Sequence, residues 1–222
     1  MDIKPILRAH AGPPTAEFAA VVVAASLGGP DALGAVLGGL PHGFAVPILV
    51  AQHIRAGSPG YLPRMLQRQT TLAVRHAAAG ERPQAGTVYV APPGHYLLLD
   101  ARGRCALSDG PRVSFARPAA DVLFTSAARV FGAQTIGVVL TGRLFDGAAG
   151  AAAIRHAGGV VLAQDPATCR APGMPRAAIR RGAAHLVLSP TALAAALIRL
   201  VAEPGGAAEF ARAPRPASQI AS

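Results

Sequence analysis

Three residues that could share one reaction stand far apart in the chain: Ser26, His53 and Asp146. Each ends, or lies just past, a run of branched apolar residues, VVVAAS over 21–26, VPILVAQH over 46–53 and TIGVVLTG over 135–142. Their types are chemically complete for acyl transfer. A hydroxyl needs a base to become a nucleophile, an imidazole supplies that base near neutral pH, and a buried carboxylate fixes the imidazole tautomer and stabilises the imidazolium. Gly28 and Gly29 let the chain bend hard after the serine, so that N–H groups opening the next helix can face an oxyanion. Each residue alone also has a purely structural reading. Ser26 would cap a helix or make a turn, His53 would be a satisfied strand-end histidine, and Asp146 would cap the helix that follows it. A phosphate-cradling glycine loop competes for 26–30. Neither G-x-x-x-x-G-K-[ST] nor G-x-G-x-x-G occurs, however, and the loop after the first strand carries no lysine. Ala24-Ala25-Ser26-Leu27-Gly28 also departs from the G-x-S-x-G elbow, and the order Ser, His, Asp is not that of α/β-hydrolases.

Far separation in sequence is no obstacle if all three runs are parallel strands of one open sheet, because ligands then bind outside the strands' carboxyl ends. The alternation of short β-branched runs with Ala- and Leu-rich stretches of helical length predicts this, an α/β fold with a mostly parallel sheet flanked by helices. The spacing predicts strands over 18–26, 46–53, 135–142 and 160–164. Helices are predicted from Pro30-Asp31 to about 40, over 58–69, from Pro118 to about 132, over 146–159 and over 190–203. From about 72 to 115 the pieces LAVRHAA, TVYVAPP, HYLLLDARGRCALSD and PRVSF are short and joined by turns, which predicts an antiparallel hairpin addition. Residues 1–17 and 203–222 mix Pro, Gly, Ala and charge without a period and read as flexible tails around one catalytic domain over 18–202.

The 222 residues suffice for one sizeable core, and 51% of them are hydrophobic. No apolar run reaches the roughly 18 to 20 residues of a membrane span, and the N-terminus lacks a signal peptide's apolar segment. The expectation is a soluble, cytoplasmic protein without direct membrane insertion. Cys105 and Cys169 form no CxxC pair and have no histidine at zinc spacing, so they read as buried thiols and no metal is expected. The formal charge of +10 comes from 21 basic against 11 acidic residues, and every basic residue except Lys4 is an arginine. These arginines are scattered, with three tyrosines and no tryptophan for base stacking, so an acidic protein partner fits and nucleic acid is not expected.

VVVAASLGGPDAL, ILVAQHI, RPAADVLF, GVVLTGRLFDGAAG, AQDPATC and GMPRAAI, in this order and spacing, resemble the catalytic domain of the chemotaxis protein-glutamate methylesterases, the CheB family. The resemblance covers roughly 18–200. It implies a serine hydrolase on a doubly wound sheet that hydrolyses glutamyl methyl esters on the cytoplasmic helical region of methyl-accepting chemoreceptors; some members also deamidate receptor glutamines. The family's nucleophile, general base and orienting carboxylate fall on Ser26, His53 and Asp146, with no metal or organic cofactor. Backbone N–H groups near Leu27, Gly28 and Arg143 would hold the oxyanion, and Met174 in GMPRAAI matches the family's loop lining the cleft, although methionine is by default a gap-filler. His95 is a further candidate for the cleft wall.

This sequence departs from the family pattern at Ala24, which replaces a glycine, at Leu27, where some members have threonine, and at Arg143, where methionine is common. Family members typically carry an N-terminal receiver domain, and this chain has about 17 residues before its first predicted strand. The departures leave open a serine esterase on the same scaffold with another protein or small ester as substrate. A non-catalytic module that binds receptor helices is a third reading, which the intact Ser26, His53 and Asp146 disfavour.

Overall fold

The computed structural model describes residues 18–54, 57–111 and 117–202. The predicted tails over 1–17 and 203–222, and most of the strand-like PRVSF, lie outside the described residues.

Strands β1 (Ala20–Ala25), β2 (Ile48–Gln52), β3 (Ala73–His76), β4 (Thr87–Val90), β7 (Thr135–Val139), β8 (Val160–Gln164) and β9 (Leu186–Leu188) form one seven-stranded sheet in the order β3-β4-β2-β1-β7-β8-β9. All its pairings are parallel. The antiparallel pairing expected over about 72–115 is confined to a two-stranded hairpin of β5 (Tyr96–Leu99) and β6 (Cys105–Ser108). β3 and β4 instead extend the main sheet. Short strands bounded by turns look alike whether they pair with a neighbour in sequence or with a distant strand. β9 also goes beyond the predicted strands.

The strand residues are apolar because the sheet is covered on both faces. Within β1, Val21, Val23 and Ala25 pack beneath α1 (Gly29–Gly38), α2 (Leu62–Gln67) and α6 (Pro190–Ala202). Ala20, Val22 and Ala24 face α3 (Ala120–Phe131), α4 (Ala148–His156) and α5 (Gly173–Arg180). Period-two alternation therefore serves two cores at once, and the strand shows no polar side. The chain runs from β1 to β2 and on to the edge strand β3, turns back to β4 between β3 and β2, and then crosses to β7 on the other side of β1. The strand order thus reverses between β1 and β7, where an open parallel sheet leaves a crevice.

Candidate active site

Register brings the first two residues together. Ala25 lies opposite Gln52 in the β1–β2 pairing, so the next residues, Ser26 and His53, leave adjacent strands side by side. Two hydrogen bonds hold these exits: His53 N–H donates to the Ala25 carbonyl at 2.9 Å, and Ser26 N–H donates to the Thr141 carbonyl at 2.9 Å. The second bond ties the serine turn to the segment leaving β7, which carries Asp146. Ser26 and His53 face a common cleft of about 860 Å³, lined also by Leu27, Gly28, Arg143 and Arg170.

Asp146 closes the constellation. Its Oδ2 lies 2.6 Å from His53 Nε2, and the carboxylate is 2% exposed. The remaining lone pairs are taken by the backbone: Ala120 N–H at 2.6 Å, Asp121 N–H at 3.0 Å and Gly147 N–H at 2.9 Å. Two of these amides open α3, whose dipole favours a negative charge at that point. Burial by itself would push the Asp146 carboxyl upward, but the bonds from His53, Ala120 and Asp121 outweigh it and hold the group below the ordinary carboxylate range. Asp146 is therefore an anion that accepts from His53 Nε2–H. That assignment leaves Nδ1 with the free lone pair, so the basic nitrogen is the opposite one from the common serine-protease triad.

The capping is reciprocal. Asp121, in the first turn of α3, accepts from Gly150 N–H in the first turn of α4 at 2.7 Å, while Asp146 caps α3 from the entrance to α4. Burial, with the Asp146 charge adding to it, raises the Asp121 carboxyl above its usual range.

Gln52, which the residue types alone do not mark for chemistry, holds a central place in the structure. Its Nε2 donates to the carbonyls of both Ser26, at 2.8 Å, and His53, at 2.9 Å, clamping the two exits from below. Those two acceptors fix the amide orientation. Oε1 is left buried without a partner, against Gly29, where an added Cβ would come within 1.9 Å of it. Gly28, at φ 83°, makes the turn after β1 and Ser26, and Gly29 leaves room for the clamp. The signal was present in the sequence as a polar residue ending an otherwise apolar strand.

Thr141 ties down the other side. Its hydroxyl donates to the Leu27 carbonyl at 2.9 Å and accepts from Ala171 N–H at 2.9 Å, and its own N–H donates to Gln164 Oε1 at 2.9 Å. Among the described residues no acceptor takes the N–H groups of Leu27, Gly28 or Arg143, all of which stand at the cleft. The Arg143 side chain is exposed at the rim.

Two expectations need correction. Met174 does not line the cleft. It is fully buried, and its Sδ fills the space beside Gly142, where a Cβ would come within 2.0 Å of it. A flexible thioether is the kind of side chain that fills such a gap. His95 is also outside the cleft lining, exposed with Nδ1 at 3.0 Å from the Pro93 carbonyl. The thiols have no part in the constellation: burial pushes Cys105 up to about 12 and Cys169 up to about 11, which leaves both protonated at neutral pH.

A parallel sheet whose order reverses at β1, with a serine, a histidine and an aspartate gathered at its crevice, defines a class: a doubly wound α/β protein. The chain belongs to the CheB methylesterase family, whose model matches residues 21–197. It is 43% identical over 183 residues to the protein-glutamate methylesterase/protein-glutamine glutaminase of Symbiobacterium thermophilum, covering 82% of this chain and 51% of that protein. It is 44% identical over 188 residues to the protein-glutamate methylesterase FrzG of Myxococcus xanthus, covering 85% and 56%. The chain thus spans about half the length of these curated relatives. The crystal structure of the Thermotoga maritima CheB methylesterase catalytic domain superposes with a TM-score of 0.80 at 36% identity, over 83% of this chain and 99% of that one.

Proposed function

We propose that this domain hydrolyses glutamyl methyl esters on the cytoplasmic helical region of methyl-accepting chemoreceptors, releasing methanol, and deamidates receptor glutamines at the same site. The observation that carries the reading is the 2.6 Å bond from His53 Nε2 to a buried, anionic Asp146, with His53 and Ser26 lining one cleft. The names of the relatives supply the ester and amide chemistry.

In this mechanism Ser26 Oγ attacks the ester carbonyl as His53 Nδ1 takes its proton, and Asp146 stabilises the resulting imidazolium. The oxyanion of the tetrahedral intermediate is held by the unpaired N–H groups of Leu27, Gly28 and Arg143. The first two lie at the amino end of α1, where the dipole adds to them. Methanol leaves with the proton returned by His53. Water, activated by the same base, then cleaves the acyl-enzyme and yields a free glutamate. With glutamine the leaving group is ammonia.

The test is methanol release from methyl-labelled chemoreceptor membranes by wild-type and Ser26→Ala proteins at equal concentration. Release by the wild type alone supports the reading. If the wild type takes up a serine-directed phosphonate and releases no methanol, the nucleophile stands and the receptor substrate is wrong.

A further inference from the structure

The large apolar side chains left exposed among the described residues gather in one place. Leu27, Tyr61 and Met65 line the cleft. The others, Leu144 and Phe145, are 65% and 53% exposed and stand between Arg143, at the cleft rim, and Asp146, which holds His53. Leu144 is also the non-glycine residue with a left-handed backbone among the described residues, at φ 63°. A leucine in that conformation strains the chain, and an exposed side chain recovers none of the loss by burial. The strain is locked in from behind: a Cβ on Gly173 would come within 2.7 Å of Leu144 N and 2.8 Å of Leu144 O, so the start of α5 lies against this backbone. The loop therefore fixes the Leu144 backbone while the large apolar side chains of Leu144 and Phe145 stand out in water. Folding alone gives no reason for this.

Charge narrows what would cover them. The cleft lining carries Arg143 and Arg170 against one carboxylate, Asp31, on a chain of formal charge +10. An apolar patch rimmed by cations suits a segment that presents apolar side chains with carboxylates beside them.

We propose that Leu144 and Phe145 form a preset docking lip for the protein substrate, which lays an apolar stretch on the lip and turns neighbouring carboxylates toward Arg143 and Arg170. The lip selects protein over small esters and takes no part in bond making or breaking. This rests on the proposed hydrolysis of receptor esters at Ser26, and it assigns to that site the residues that choose its substrate.

Docking is read without turnover by co-sedimentation of the Ser26→Ala protein with chemoreceptor membranes, with and without the added pair Leu144→Gly and Phe145→Ser. The pair is expected to weaken binding about tenfold, less than the loss at a single interface hot spot. Because Leu144→Gly relieves the backbone, the thermal midpoint of the variant must not fall. Unchanged membrane affinity in the folded variant overturns the lip. A second arm places the pair in the active enzyme and measures p-nitrophenyl acetate hydrolysis, whose acyl group is too short to span the lip. Loss confined to the receptor substrate, as a raised KM, supports docking, whereas an equal loss on both substrates overturns it. Binding that depends on the lip while the wild type releases no methanol would keep the lip and sink the ester reading instead.

Discussion

The segment between β7 and α4 contains two opposite solutions within a few residues. At Asp146 the side chain is buried, charged and fully bonded: His53 and the N–H groups of Ala120, Asp121 and Gly147 take its oxygens. At Leu144 and Phe145 the side chains are apolar and exposed, and Leu144 has a left-handed backbone. In the first, every polar cost of burial is met by a partner, so the group is held in one place and one ionisation state. In the second, apolar surface is left without a partner, as a protein does where a partner will arrive. On the proposed reading the first is catalytic machinery and the second a contact surface, and each half can be broken separately.

The largest effect is expected at the buried half. Asp146→Asn should lower kcat by about 10⁴-fold, because an amide in place of the carboxylate no longer holds the base in its working tautomer. Far-ultraviolet circular dichroism should stay native, and kinetics on methyl-labelled receptor would check the loss. Wild-type activity in a folded Asp146→Asn protein would remove Asp146 from the mechanism.

Next comes the clamp beneath the two strand ends. Gln52→Leu leaves the Ser26 and His53 carbonyls without their shared donor, and the expected loss is about 2 kcal/mol of stability by urea denaturation. Phosphonate labelling of Ser26 should slow as well, because the nucleophile and base no longer leave the sheet in register. Gly29→Ala should reproduce the same pair of defects by driving a Cβ into Gln52 Oε1.

The two reciprocal caps sharpen the comparison through pH. Asp146 has a depressed folded-state value. Its contribution is therefore present above the unfolded value of about 4 and is lost as pH falls through the lower folded value. Asp121 is shifted upward, chiefly by burial, so its sign is opposite: the folded state holds its proton more tightly, and ionising it costs stability as pH rises above about 4. Asp121→Asn keeps an oxygen for Gly150 N–H and removes the charge. Denaturation midpoints against pH should show this variant gaining on wild type from pH 4 to 7, and a steady deficit would refute the account.

The smallest effect belongs to the exposed half. Leu144→Gly should raise stability by about 1 kcal/mol, since glycine adopts the left-handed backbone without strain, partly offset by its greater freedom when unfolded. Thermal unfolding of the single variant would measure it.

Much of this molecule can be read along the chain. Branched apolar runs ending at Ser26, at His53 and just before Asp146 mark parallel strands with both faces covered, because such strands have no polar side to show. The residue types at their ends are complete for acyl transfer. What one dimension left unresolved was pairing and direction. The strand-like pieces at 73–76 and 87–90 look like those at 96–99 and 105–108, yet the first pair joins the main sheet in parallel and the second folds back on itself. Only the packing of distant strands distinguishes them. Met174 shows the same limit: its motif placed it near the site, and the gap beside Gly142 decided that it would fill a void and not face the cleft. The chemical groups, then, were determined by the sequence itself, since reactivity belongs to residue type. Their states were decided by tertiary structure: the charge on Asp146, the basic nitrogen of His53, the Gln52 clamp and the exposure of Leu144 each depend on neighbours that only the folded chain brings within a few ångströms.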